Sequence, residues 1–150
     1  MNIFILDEDP VIAARMLCDR HIPKMIVESA QMLSTAHRLL DGSPTKRRSR
    51  SGKTIQTYYE FKDMRDELYY TAVHKHHPCT TWTMASIENY NWHYGHFAEM
   101  SKEFTFRRQK KHATWEKIGM ILAAPPINIP KIKRTEFAQA MSHYPECKVE

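Results

Sequence analysis

Between His21 and Leu40 the chain reads as a helix with two stripes. Ile22, Ile26, Leu33, Ala36 and Leu40 form an apolar stripe with Met25 and Met32 beside it, at the spacing of a 3.6-residue period. Next to it Lys24, Glu28, Gln31 and Thr35 recur at steps of three and four, with His21 just before the helix and His37 near its end. The segment from about 80 to 106 repeats this design. Ile87, Tyr90, Tyr94, Phe97 and Phe104 make its apolar stripe, and Ser86, Asn89, His93, His96 and Glu103 its polar row. Both rows are amide, imidazole and hydroxyl groups with single charges, unlike the Lys/Glu mixture of a solvated helix face. Facing each other, they would enclose a polar pocket.

The remaining pattern completes a mainly α, single-domain reading of about five helices over residues 1–150. Asp9-Pro10 is a helix start, a carboxylate cap followed by proline at the first helical position, and predicts a helix to about Cys18–Arg20. Pro23 begins the next helix, and Asp41-Gly42 ends it. Shorter helices are predicted over about 113–123 and 135–142. The apolar run at 2–6, "NIFIL", allows one short N-terminal strand. "SPTKRRSRSGKT" at 43–54 lacks periodicity and reads as a mobile basic loop, while 55–72 mixes β-prone and helical signals. No apolar run approaches the roughly 20 residues that span a bilayer.

Charge changes the picture. The chain has a formal net charge of +5, and its cations are clustered. Lys46, Arg47, Arg48, Arg50 and Lys53 share the basic loop; Arg107, Arg108, Lys110 and Lys111 follow the long helix; Lys131, Lys133 and Arg134 follow a proline-rich turn. Three such clusters favour a polyanionic partner, nucleic acid or a nucleotide. Trp82, Tyr90, Trp92, Tyr94, Phe104, Phe106 and Trp115 supply rings suited to base stacking. Cys18, Cys79 and Cys147 match no disulfide framework, and the start lacks the pattern of a secretion signal, so a reducing, cytoplasmic setting is expected.

Candidate chemistry is narrowed mostly by exclusion. The four glycines form no phosphate-binding loop or dinucleotide fingerprint, and there is no G-x-S-x-G elbow. His74, His76 and His77 lie near Asp7, Asp9 or Cys79 only by supposition, and their spacing is too loose for a metal site; no metal or cofactor is expected.

The order "NIFILDEDP…CDRH..KM..E.AQML…H", then "HHPCTTWTMASIENYNW", "EFTFRR…H" and "FAQAM", resembles a family of small phage proteins. It is more distantly similar to the pyrimidine-dimer DNA glycosylases of the endonuclease V-like group, through Lys24, Ala30-Gln31, His77-Pro78, Glu103 and Arg107 in that order. That likeness implies a host-cell setting and activity on DNA. The phage glycosylase of the group attacks with the amine of a threonine exposed when the initiator methionine is removed. Here Asn2 follows Met1, which disfavours that removal, so the amine falls to Lys24 or there is no lyase chemistry.

The sequence therefore predicts a DNA-processing enzyme acting on a base or N-glycosidic bond. Glu28 is the expected general base or cation stabiliser, Lys24 the nucleophile or phosphate anchor, and His77 or His93 the acid. His21, Gln31, His37, Trp82, Asn89, Arg107 and His112 are the expected substrate contacts. Two alternatives stand beside it. One is a nucleotide or phosphoester enzyme using His37, His93, His96 or His112; the other is a non-enzymatic phage protein that binds host nucleic acid or a host protein.

Overall fold

In a computed structural model, residues 1–141 are described; Cys147 and the end of the expected last helix lie outside them. Helix α1 spans Pro10–Met16 and α2 His21–Asp41. Strands β1 (Ser43–Arg48) and β2 (Ile55–Glu60) follow, then one turn of helix, α3 (Arg65–Leu68). Helix α4 (Pro78–Ala85) leads into α5 (Ile87–Arg108). The architecture is mostly α with one small sheet, and no helix among the described residues is long and apolar enough to cross a membrane.

The caps explain the boundaries. The Asp9 carboxylate accepts the Val11 N–H at 2.8 Å, and Pro10 fills the position whose N–H would lack a partner. Pro23 lies in the first turn of α2, where the missing donor costs nothing, so the helix begins two residues earlier than the proline suggests. Gly42 ends α2 with extended backbone (φ −85°) rather than the left-handed cap expected of glycine. The reason for glycine is space: a Cβ there would stand 2.6 Å from the Arg38 carbonyl oxygen and 3.3 Å from Tyr59. The long helix predicted from about 80 to 106 is two. Ser86 turns the chain with extended backbone, and its hydroxyl accepts the Asn89 N–H at 3.0 Å to cap α5.

The apolar stripes of α2 and α5 meet in one core. Ile22, Met25, Ile26, Leu33 and Ala36 of α2 pack with Tyr90, Phe97, Met100 and Phe104 of α5, and α1 lies across α5. A smaller cluster of Ile3, Ala13, Met32, Cys79, Trp82 and Trp92 sits where the N-terminal segment crosses α2 and α4.

Other expectations are corrected. Residues 2–6 form no strand: Phe4 takes a left-handed φ of +54°, and the Asn2 side chain accepts the N–H groups of Ile3 and Phe4, so side-chain bonds replace a ladder. The strands are instead β1 and β2, antiparallel with Lys46 opposite Thr57 and Arg48 opposite Ile55, and the basic segment 43–54 supplies the first of them and the turn. Over 113–123 a regular helix gives way to a π-helical turn, Trp115–Gly119, and a 3₁₀ turn, Ile121–Ala123. The Trp115 ring lies over Gly119, where a Cβ would come within 2.5 Å of it. Residues 135–141 are not helical.

Arg38 holds the middle of the chain together. It is only 7% exposed, and its guanidinium donates to the carbonyls of Tyr59, Asp66, Tyr69 and Tyr70 and to the Asp66 carboxylate, all at 2.6–2.8 Å. The pairing with Arg38 keeps the Asp66 carboxyl below its ordinary range. One side chain thus ties α2 to the base of the hairpin and to α3. Arg38→Met should cost about 3–5 kcal/mol by urea denaturation, because four carbonyls and a carboxylate lose a buried partner. A loss below about 1 kcal/mol would show that the segment holds itself.

Three buried imidazoles make the fold acid-sensitive. Burial lowers His37 to about 4, His93 to about 3 and His96 to about 4. Below about 6.5 the unfolded chain gains protons on these rings while the folded chain does not, so stability falls as pH drops. Each ring contributes up to about 1.4 kcal/mol per pH unit, until its folded pKa is reached. Melting temperature should therefore decline steeply from pH 6.5 to 4. His96→Phe, which keeps a ring to stack on Trp92 at 5.3 Å, should flatten that decline; an unchanged slope would remove His96 from the account.

Candidate functional site

The polar row of α2 divides into an inner and an outer part. Inside, α2, α4 and α5 are bolted through hydroxyls and imidazoles. The Thr83 hydroxyl gives its proton to the Cys79 carbonyl at 2.8 Å, so it must accept from His93 Nδ1, also at 2.8 Å. A neutral His93 then accepts at Nε2 from the Ser29 hydroxyl at 3.1 Å. The Tyr90 hydroxyl sits between His37 Nε2 at 2.9 Å and the Leu122 carbonyl at 2.8 Å. Asn89 donates to the Trp82 carbonyl and the Thr135 hydroxyl, and accepts the Thr135 N–H at 3.0 Å. These groups face one another across the helix packing.

The expected pocket between the two rows is therefore not formed. Asn89 and His93 are 0% exposed and His37 only 4%, and their hydrogen-bonding capacity is used between elements. His93 has no route to a substrate as an acid. His96 is equally enclosed, and both its ring nitrogens lack a partner among the described residues. Trp82 is core, edge-on to Trp92 at 5.8 Å and tilted against Phe137 at 5.5 Å.

Outside, Glu28 collects a different set of groups. Its Oε2 accepts the Asn2 N–H at 3.1 Å and lies 3.8 Å from the amino group of Met1, while its Oε1 is 3.7 Å from Lys24 Nζ. The Glu28 side chain is 13% exposed and that of Lys24 70%, so a shielded carboxylate is flanked by a reachable amine. His21 stacks on Phe4 with parallel rings 5.2 Å apart. Gln31 is half-buried, and its carbonyl accepts the Thr35 hydroxyl, which in turn accepts the Val73 N–H at 3.1 Å. The outer row is thus bordered by the N-terminal segment and by residues 73–77.

His77 closes this border. Its Nδ1 accepts the Cys79 N–H at 3.2 Å and caps α4, which in the neutral ring leaves the proton on Nε2. Burial, then the neighbouring amino group of Met1, lowers its pKa, with Glu28 acting the other way. Among the described residues, three non-glycine residues have positive φ, and two of them, Phe4 at +54° and His74 at +47°, lie in the two bordering segments. Such strain concentrates at functional sites.

The sequence pointed to Glu28, Lys24 and His77 but missed Asn2 and Cys79. Asn2 organises the corner: its Oδ1 accepts from Ile3, Phe4 and, at 3.6 Å, from Cys79 Sγ. An asparagine at the head of an apolar run is a turn signal, and was the available clue. Asn2 also lines a cleft of about 670 Å³ between residues 2–8 and 134–141, with Phe4, Asp7, Arg134 and Phe137 among its walls. Among the described residues no group of three potential ligands is placed to hold a metal.

The remaining expected contacts are dispersed. Arg107 donates to the carbonyls of Leu17 and Arg15 and pairs with Asp19 and Glu103, so it closes the C-terminal end of α1. His112 accepts the Thr114 N–H at 3.2 Å, edge-on to Phe104. Arg108 at the end of α5 and Lys110 and Lys111 beyond it are exposed. Lys46, Arg47, Arg48, Arg50 and Lys53 are exposed on the hairpin, where Lys46 donates to the Thr57 hydroxyl and Arg47 pairs with Glu60.

Comparison with known protein families, with curated proteins and with solved structures returns no match. The site therefore rests on its own geometry.

The inner and outer parts should separate in a stability measurement. Lys24→Ala removes an exposed partner and should shift unfolding by less than about 0.5 kcal/mol. His93→Ala leaves Ser29 and Thr83 unpaired beside a cavity and should cost about 2–4 kcal/mol. Similar losses for the two would contradict the division.

Proposed function

We propose that the protein is a DNA-processing enzyme acting on a nucleobase or its N-glycosidic bond, with Glu28 at the centre of the site. The observation that carries this reading is a shielded carboxylate held by the Asn2 N–H beside the amines of Lys24 and Met1, with His77 on the bordering segment. Breaking a glycosidic bond builds positive charge at C1′, and a carboxylate enclosed by protein stabilises that charge better than one in water. Glu28 is also placed to accept a proton from an attacking amine or water.

In the lyase form of the reaction, the Lys24 amine, once deprotonated, bonds to C1′ as the C1′–N bond breaks. The base departs with the electron pair and takes up a proton from solvent water, because the neutral His77 ring, with its Nδ1 lone pair on the Cys79 N–H, is not an acid at Nε2. The amine-linked sugar then opens to an imine. A hydrolase would use water at the same step and leave no adduct. The phosphoester alternative draws less support, because His37, His93 and His96 are buried.

Borohydride trapping on duplexes carrying damaged bases tests the reading. Wild type should give a covalent adduct and Lys24→Ala none, and Glu28→Gln should slow base release at least about hundredfold while duplex binding persists. An adduct that survives Lys24→Ala would move the nucleophile to the Met1 amino group. Base release unaffected by Glu28→Gln would sink the proposal.

A further inference from the structure

The hairpin carries five cations, Lys46, Arg47, Arg48, Arg50 and Lys53, and no carboxylate stands between Asp41 and Glu60. It is a two-stranded ribbon with no third strand among the described residues, and a lone hairpin is marginal in water. Its support is at the base. The Tyr59 carbonyl is held by Arg38 at 2.6 Å, and Gly42 packs against Tyr59. The outer part has no apolar face against the body: β1 is exposed apart from Thr45, and Ile55 at the turn end is 70% exposed.

The two faces of the ribbon differ. Side chains of directly opposed residues share a face, so Lys46, Arg48, Thr57, Ile55 and Tyr59 lie on one, and Arg47, Gln56 and Tyr58 on the other. On the second face Arg47 is neutralised by Glu60 and lies over the Tyr58 ring at 5.6 Å. On the first, Lys46 and Arg48 have no carboxylate partner among the described residues. Lys75 Nζ adds a third cation there, 5.3 Å from the centre of the Tyr59 ring. Lys75 lies two residues from Val73, whose N–H bonds the Thr35 hydroxyl on α2.

We propose that the hairpin is an arm that lies in a groove of duplex nucleic acid, with its Lys46/Arg48 face on the phosphates. Two strands of six residues reach about 20 Å, and a two-stranded ribbon fits the roughly 12 Å width of a major groove. An enzyme that removes a base from the stack must also hold the duplex on either side of it, which such an arm provides. The inference deepens the reading of Glu28 as a DNA-processing centre and rests on it for the choice of DNA over other polyanions.

The test compares the faces by titrating a fluorescent 20-base-pair duplex over a range of salt concentrations. Lys46→Gln/Arg48→Gln should weaken binding at least tenfold and lower the log–log salt slope by about 2, since two phosphate contacts are lost. Arg47→Gln should weaken it less than threefold, and Lys46→Arg/Arg48→Lys should restore wild-type affinity, which separates charge from folding. Duplex binding that the double Gln variant keeps would overturn the arm while leaving the Glu28 reading intact. Loss of equal size on both faces would overturn the assigned face. No duplex binding by wild type, with binding to vesicles containing phosphatidylserine instead, would overturn both the arm and the DNA reading.

Discussion

The enclosed His93 is the constraint around which the structure is built. Its ring has no exposure and stays neutral, and both its nitrogens are satisfied, one by Ser29 on α2 and the other by Thr83 on α4. That pairing sets the rotation of α2 and α4 against α5. With Ser29 turned inward, Glu28 points about 100° away around the helix, toward the N-terminal segment. The carboxylate's position is thus a consequence of the buried seam. Asn89 extends the same logic by anchoring Thr135, which brings the segment 134–141 against residues 2–8.

Arg38 does the corresponding work at the other end of α2. It lets the segment from Tyr59 to Tyr70 pack on the helix, because its guanidinium supplies the donors that those carbonyls would otherwise find in water. Beyond this clamp the hairpin is free to follow its charge. The chain therefore has a rigid polar interior, a shielded carboxylate at one edge and a basic ribbon held only at its root.

The stripes of α2 and α5 and the cap at Asp9 were legible in the sequence because each depends on local spacing. What the polar rows face was not legible. A run of Asn, His and Ser at helical spacing has the same pattern whether it lines a cavity or bolts helices together, and the difference lies in partners such as Thr83 and Ser29 on other elements. Strand β1 was hidden for another reason. "SPTKRR" has no apolar alternation, and its pairing is specified by β2 and by the Arg38 anchor at Tyr59. One arginine on a helix, as Arg38 is, gives no sign of burial in the sequence. The "NIFIL" run allows a strand by composition, but the Asn2 side chain caps the backbone that follows it.

The central claim is that Glu28 meets the reacting sugar. A structure of the protein bound to a duplex carrying a pyrrolidine in place of one deoxyribose, a cationic mimic of the charge that develops at C1′, tests it directly. The account predicts the pyrrolidine nitrogen within hydrogen-bonding distance of the Glu28 carboxylate, with Lys24 beside it. A pyrrolidine bound elsewhere on the surface, with Glu28 still held by the Asn2 N–H, would contradict it.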